Sequence, residues 1–180
     1  YTKYIQMVRH LFPDKPVIVA GMKREVERCH AALEAATEGE KVAVVCSGDP
    51  GVYAMAGLIY ELSEGYPPLD IEVIPGVTAA MAGAARLGAP LGHDFAVISL
   101  SDLLTPWELI ERRLHAAAMA DFLICLYNPA SKGRKDHLKK ACDAILQHKP
   151  EETLCAWIRN IGRDGEEWEL PTLGALRDFT

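Results

Sequence analysis

Residues 94–100 read DFAVISL, an almost continuous apolar run rich in β-branched side chains. A strand buried on both faces of a parallel sheet has this pattern, because helices cover it on either side. The pattern recurs in four further stretches: KVAVVCSG (41–48), DIEVIPG (70–76), DFLICLYNP (121–129) and TLCAWIRN (153–160). The sequence therefore predicts five buried strands.

Helical patterns separate these strands. Residues 1–12 and 22–38 place apolar side chains on one face among charged ones, which is typical of surface helices. Asp49 and the following proline predict a helix that starts just past the first strand and runs to about Leu62. Strands that alternate with helices predict an α/β fold with mainly parallel sheets and flanking helices.

Two further signals place helix ends and a domain boundary. Thr105 and Glu108 have the spacing of a capping box, and residues 77–88 form a helical pattern that ends at a glycine. Glycine and proline then cluster in 88–94, between that helix and the next strand. We therefore expect two α/β lobes, residues 1–92 and 93–180.

Composition excludes several classes of protein. The 180 residues are 49% hydrophobic and 24% charged, which is typical of a folded globular chain and excludes disorder. No apolar run approaches the roughly 18 residues of a membrane span, so we expect no membrane partner. The net charge of −6 argues against nucleic acid as a partner, because phosphate binding needs a basic surface.

Cysteine usage indicates the compartment. The chain has five cysteines, an odd number with no C-x-x-C pair, at positions 29, 46, 125, 142 and 155. This pattern favours buried thiols in a reducing cytoplasm over a disulfide framework or a zinc site, and we predict no metal.

The loops after the strands are where ligands bind in open α/β sheets. The glycine-rich loop 47–53 matches neither the dinucleotide nor the P-loop pattern, which excludes both conventional nucleotide-binding folds. It offers close backbone approach, free helix N–H groups and the Asp49 carboxylate, although a simple capping turn would use the same residues. The small residues of 75–85 suit either a ligand against the helix backbone or tight helix packing.

Four segments in order carry a resemblance: SGDPGVYAMAG (47–57), VIPGVTAAMAGAARLGAPLGHDF (73–95), SLSDLLTPWE (99–108) and DFLICLYNPASKGR (121–134). Together they closely resemble the tetrapyrrole methylases of corrin biosynthesis, over essentially the whole chain. The second pair is most similar to members that methylate carbon 17 of precorrin-3B or cobalt-factor III. The resemblance implies two α/β lobes with S-adenosylmethionine in the cleft between them, a homodimer and a cytoplasmic enzyme of cobalamin biosynthesis.

The resemblance also implies site residues. Contacts to S-adenosylmethionine, or to its product S-adenosylhomocysteine, would come from Ser47, Gly48, Asp49, Val52, Thr78, Ala79, Tyr127, Asn128, Asn160, Ile161 and Gly162. The implied reaction transfers a methyl group and contracts the macrocycle, which requires a general base. Candidates for that base are Asp49, His93, Asp94, Ser101 and Asp102, each of which would equally suit a turn or a cap.

Positive charge should meet the carboxylates of a tetrapyrrole acceptor. Lys132 and Arg134 lie in a loop at a predicted strand end and are the candidates for this contact. The family begins with a strand and a Gly-Pro-Gly loop and runs on past residue 180, so the resemblance implies a chain truncated at both ends. A family member with another acceptor, or a non-catalytic cofactor-binding fragment, are the alternatives that the sequence leaves open.

Overall fold

The computed structural model describes residues 2–19, 21, 24–131 and 133–179. The chain forms two compact units, Tyr1–Thr78 and Ala79–Thr180. The lobe boundary predicted after residue 92 lies further along the chain and stays a prediction. The alternation of helices and strands confirms the α/β class.

Unit 1 is built on helices. Helix α1 spans Thr2–Val8 and is followed by a 3-10 turn, Arg9–Leu11; α2 spans Glu25–Thr37 and α3 spans Ala56–Ser63. The buried side chains of α2 are Cys29 and Leu33, four residues apart and therefore on one helix face. The face of α2 that carries Cys29 and Leu33 is therefore the buried one.

The predicted strands at 41–48 and 70–76 are wrong, because neither stretch forms a strand. A strand exists only where a neighbour accepts and donates its backbone hydrogen bonds, and an apolar run by itself supplies no neighbour. Both stretches also have apolar side chains that are exposed, unlike those of a buried strand: Val44 is 37% exposed and Ile74 is 72% exposed. The residues of both stretches favour extended backbone, but neither stretch pairs with a strand.

The helix predicted to start at Asp49 begins later, at Ala56. The Asp49 side chain binds the backbone N–H of Gly51, which folds residues 49–52 into a local turn. Tyr53 has a φ of +52°, which a right-handed helix cannot contain. A turn therefore separates the aspartate from α3.

Unit 2 contains a strand–helix–strand module. Strand β1, Phe95–Ser99, pairs in parallel with β2, Leu123–Tyr127, and α5, Trp107–Met119, connects them. The register runs from Phe95 opposite Leu123 to Ser99 opposite Tyr127, so both strands end at the same edge. The strands predicted at 94–100 and 121–129 are confirmed.

The rest of unit 2 packs around this module. Helix α4 spans Ala79–Arg86, α6 spans His137–Leu146 and α7 spans Leu173–Leu176. Strand β3, Trp157–Arg159, lies within the predicted stretch 153–160 but pairs antiparallel with β4, Glu167–Glu169. The prediction missed β4 because its sequence, EWE, is polar and all three residues are exposed.

The core of unit 2 lies between β1, α5, α6 and α7. Its fully buried large side chains include Leu100, Ile110 and Leu114.

The predicted capping box at Thr105 is wrong. Pro106 is the N-cap of α5, with an extended ψ of 142°, and no side chain caps this helix. The Pro106 carbonyl accepts the first hydrogen bond of α5, from Leu109 N–H.

Among the described residues, no helix has the length and apolar character needed to span a membrane.

Candidate functional site

The Asp49 carboxylate ties two loops of unit 1 together. Its Oδ1 accepts a hydrogen bond from Gly51 N–H at 2.8 Å, and its Oδ2 accepts one from Gly76 N–H at 3.0 Å. These backbone donors, Gly76 first and Gly51 second, lower the pKa of Asp49. A carboxylate held ionised in this way is a weak proton acceptor, which disfavours Asp49 as general base.

Glycines allow the two loops to approach closely. A Cβ at Gly76 would lie 2.1 Å from the Gly48 carbonyl oxygen, well inside contact distance. Gly48 itself has a φ of +73°, and a Cβ there would lie 3.7 Å from the Thr78 Cα. The predicted residues Gly48, Asp49 and Thr78 therefore lie together, with Ser47 and Val52 adjacent in the chain.

In unit 2 the last residue of β2, Tyr127, contacts the start of α4. The Tyr127 hydroxyl accepts a hydrogen bond from Ala80 N–H at 2.8 Å. This N–H belongs to the first turn of α4, whose backbone donors lack helical partners. Tyr127 thereby fixes the segment that carries Ala79.

Asn128 turns the chain at the end of β2. It has a φ of +54°, a conformation that asparagine tolerates better than most residues. Its Nδ2 donates to Ser99 Oγ at 2.9 Å, which links the ends of both strands of the parallel pair. Ser99 Oγ also accepts from Ser101 N–H at 3.2 Å, so the loop after β1 is fixed to the same point.

The predicted turn 160–162 packs on α4. A Cβ at Gly83 would lie 3.3 Å from Ile158 Cγ2 and 3.6 Å from Ile161 Cδ1. Asn160 Nδ2 donates to the Gly165 carbonyl at 3.1 Å, and Gly162 N–H donates to Glu166 Oε2 at 2.5 Å. Gly83 of α4 thus serves packing against this segment, and the use of the other small residues stays a prediction.

A polar cluster follows the parallel strands, and it contains Ser101, Asp102, Arg134 and His137. His137 Nε2 lies 3.0 Å from Asp102 Oδ2, and Arg134 Nη1 lies 3.9 Å from Asp102 Oδ1. Arg134 also donates to the Ser101 hydroxyl and, from Nε at 3.1 Å, to Ser131 Oγ. His137, with Arg134 also contributing, lowers the pKa of Asp102, so this carboxylate too is a weak base.

The remaining predicted residues are less constrained. His93 and Asp94 lie exposed just before β1, and the structure brings neither into the polar cluster. Lys132 lies outside the described residues. Arg134 donates hydrogen bonds to the hydroxyls of Ser131 and Ser101, and its side chain is largely buried. Its part in substrate binding stays a prediction.

Sequence reasoning missed His137 and Gly76. His137 was overlooked because it lies in the basic stretch SKGRKDHLKK, which has the composition of a solvated helix face, and because it is 35 positions from Asp102. Its place as the first residue of a helix after a strand-end loop was the available signal. Gly76 belonged to a segment already singled out, but its contact with Asp49 joins residues that are distant in the chain.

All five cysteines are free. Cys29 and Cys142 have no exposed surface, and burial raises the pKa of Cys142 to about 12. Within the described part of the chain, no group of three or more His, Cys, Asp or Glu side chains is arranged to hold a metal. Cys29 and Cys142 are therefore buried as predicted, whereas Cys46, Cys125 and Cys155 are only half-buried.

The fold and these loops define a class of protein. The profile of the Tetrapyrrole (Corrin/Porphyrin) Methylases matches residues 2–177, and the chain belongs to this family.

Relatives refine this assignment. The chain is 50% identical over 180 residues to the "Probable cobalt-factor III C(17)-methyltransferase" of Salmonella typhimurium, covering 99% of this chain and 74% of that protein. It is 42% identical over 178 residues to the "Precorrin-3B C(17)-methyltransferase" of a Sinorhizobium species, covering 97% and 70%. The crystal structure of the methyltransferase CobJ superposes with a TM-score of 0.88 at 36% identity, covering all of this chain and 75% of that one.

Proposed function

We propose that this chain catalyses S-adenosylmethionine-dependent methylation of carbon 17 of a precorrin-3B type tetrapyrrole, with ring contraction, in cobalamin biosynthesis. The observation that carries the proposal is the family match over residues 2–177, together with relatives named for this carbon. A homodimer in the cytoplasm is part of the proposal. The acceptor is precorrin-3B or cobalt-factor III, since relatives of both names match.

The cofactor contacts proposed for unit 1 are Ser47, Gly48, Asp49, Val52 and Thr78. The paired loops support this, because Gly48 and Gly76 are both exposed and have no side chain to cover their backbone. The contacts proposed for unit 2 are Ala79, Tyr127, Asn128 and the turn 160–162. Here the support is the fixed geometry of Tyr127 and Asn128 at the end of β2.

When bound, S-adenosylmethionine supplies an electrophilic methyl group to a ring carbon of the acceptor. The residues of this chain have to align donor and acceptor and exclude water, which is where most of the rate enhancement of such a displacement arises. The ring contraction also needs a proton to be removed. Asp49 is held by backbone N–H groups, and Ser101 and Asp102 belong to the polar cluster. We therefore propose His93 or Asp94, the two remaining candidates, for this step.

Calorimetry with S-adenosylhomocysteine tests the cofactor residues. We expect Asp49→Ala and Thr78→Val to weaken binding, because each alters a loop proposed to hold the cofactor. Asp70→Ala is the matched control, since this exposed carboxylate of unit 1 lies outside the proposed loops. Unchanged affinity in both loop variants would remove the unit 1 loops from the site.

Turnover tests the reaction itself. We expect the chain to transfer a labelled methyl group from S-adenosylmethionine to carbon 17 of precorrin-3B or cobalt-factor III, with the position read by NMR of the product. A label on another ring carbon would indicate a different member of the family. Cofactor binding without transfer to either tetrapyrrole would indicate a binding fragment.

A further inference from the structure

The polar cluster of Ser101, Asp102, Arg134 and His137 has an unusual distribution of exposure. The His137 side chain is 7% exposed and the Arg134 side chain 14%, whereas that of Asp102 is 37% exposed. Two groups able to carry positive charge are therefore buried behind one carboxylate that reaches solvent. Burying such groups costs free energy unless they are paired, and Asp102 is a partner of both.

The His137 ring is fixed by its surroundings. Its edge packs on Trp107 with a centroid distance of 4.9 Å and an interplanar angle of 77°. Its Nδ1 lies 3.3 Å from Asp136 Oδ1, and its Nε2 lies 3.0 Å from Asp102 Oδ2. Among the described residues, the buried Nε2 makes no hydrogen bond of good alignment, so its contact with Asp102 is one of close approach. Because His137 and Trp107 are the first residues of α6 and α5, both helices anchor the ring beside the carboxylate.

Apolar side chains lie next to the exposed carboxylate in the chain. Leu103 is 71% exposed and Leu104 is 98% exposed, directly after Asp102. Small-molecule sites combine apolar surface with a few placed polar groups, and these two leucines next to the fixed carboxylate supply both kinds of surface. A ligand with a broad apolar face and a few N–H or O–H donors fits this combination, and a tetrapyrrole macrocycle has both.

We propose that His137 is a positioning residue which, together with Arg134, holds the Asp102 carboxylate as a hydrogen-bond acceptor for an N–H or O–H group of the tetrapyrrole. This inference rests on the proposed function and names the residue that orients its acceptor. His137 acts through Asp102, since its own ring is buried. Arg134 is assigned to the same task, because its Nη1 faces both Ser101 and Asp102.

The inference accounts for the chemistry of the cluster better than proton abstraction does. His137 and Arg134 favour the ionised carboxylate, which is poorly suited to take up a proton near neutral pH. The same ionised carboxylate accepts a hydrogen bond more strongly than a neutral group. The cluster is therefore arranged for orientation of a bound donor.

Four variants test this. Asp102→Asn removes the charge, His137→Phe keeps the ring that packs on Trp107 but removes both nitrogens, and His137→Gln retains a donor near the position of Nε2. His115→Phe is the matched control, because His115 lies on α5 and contacts His148 outside the cluster. Each variant is titrated with cobalt-factor III and precorrin-3B by tetrapyrrole absorbance, with S-adenosylhomocysteine by calorimetry, and assayed for KM and kcat.

We expect Asp102→Asn and His137→Phe to raise the tetrapyrrole Kd and KM on the order of tenfold or more, as for a lost hydrogen bond to a charged group. His137→Gln should restore affinity to within about threefold, since a side-chain N–H group beside the Asp102 carboxylate is regained. Adding His137→Phe to Asp102→Asn should cause little further loss, because the two act as one unit. Cofactor affinity should be unchanged throughout.

Several outcomes would overturn the inference. Tetrapyrrole affinity equal to wild type in Asp102→Asn and His137→Phe would refute it while leaving the proposed function intact. A loss in His137→Phe that His137→Gln does not restore, or that comes with weaker cofactor binding, would indicate a structural role only. A wild-type chain that binds neither tetrapyrrole would refute the inference together with the proposed function, whereas binding without turnover would refute the latter alone.

Discussion

The Asp49 carboxylate accepts a hydrogen bond from the backbone N–H of Gly76, 27 residues further along the chain, over 3.0 Å. Together with the bond from Gly51, this contact joins the two loops that the family resemblance assigns to the cofactor. It makes loop geometry in unit 1 depend on the ionisation of one side chain.

The first prediction concerns Asp49→Asn. The pKa of Asp49 is lowered below 3.8 by Gly76 and Gly51, so its contribution to stability is present above that value and is lost as pH falls through the folded-state pKa. We expect the variant to be less stable than wild type to urea at pH 7, and the difference to shrink below pH 3.8. Asp70→Asn should show neither effect; equal stability of Asp49→Asn and wild type at pH 7 would contradict the prediction.

The second prediction compares two glycines of unit 1. Gly76→Ala should destabilise the chain by about 1 to 3 kcal/mol, because its Cβ would meet the Gly48 carbonyl at 2.1 Å and backbone must shift. Gly57→Ala should be neutral or stabilising by up to about 1 kcal/mol, since it lies in α3 with nothing within 4 Å of the new Cβ. Urea unfolding of both variants measures the contrast, and similar effects at both sites would refute it.

The third prediction concerns Tyr127→Phe. Loss of the hydroxyl removes the acceptor of Ala80 N–H and should cost about 0.5 to 1.5 kcal/mol locally. Hydrogen exchange should show faster exchange at the first turn of α4, while amides in the middle of α5 keep their protection. Unaltered exchange at Ala80 would show that this bond does not hold the segment.

The fourth prediction concerns thiol reactivity. Burial raises the pKa of Cys142 to about 12, and Cys29 and Cys142 have no exposed surface. Iodoacetamide at pH 8 should leave both unmodified in the native chain, whereas the partly exposed Cys46 should react first. Mass spectrometry identifies the sites, and denatured protein, in which all five should react, is the control. Rapid native modification of Cys142 would contradict the structure.

Two strands were predicted correctly together with the strand that each one pairs with. DFAVISL and DFLICLYNP each contain a strand because each pairs with the other and α5 lies between them in the chain. KVAVVCSG and DIEVIPG are also apolar and β-branched, but among the described residues they have no partner strand, and composition does not show whether a partner exists. β4 was missed for the opposite reason: it has a partner in β3, but its exposed Glu-Trp-Glu sequence lacks the apolar run by which strands were recognised.

The candidate site was predictable as loops and much less so as contacts. The glycines and aspartate of SGDPG marked a special turn, because few other residues permit its backbone geometry. That Asp49 would bind Gly76, or that His137 would lie beside Asp102, depends on how distant segments pack, which local sequence does not specify. The partners of Asp49 and Asp102, which disfavour both as general bases, are likewise visible only in the structure.

The bond from Gly76 to Asp49 closes the intervening segment at its base, and this gives unit 1 a place that tolerates added length. Gly65, Pro67 and Pro68 are exposed after α3, far along the segment from the closure. Because the ends are already held together, an inserted flexible peptide costs only the slowly growing entropy of a longer loop, about 0.6 kcal/mol for each doubling. A fluorescent reporter placed between Pro67 and Pro68, beyond the Tyr66 side chain that binds His30, would therefore leave the paired loops undisturbed.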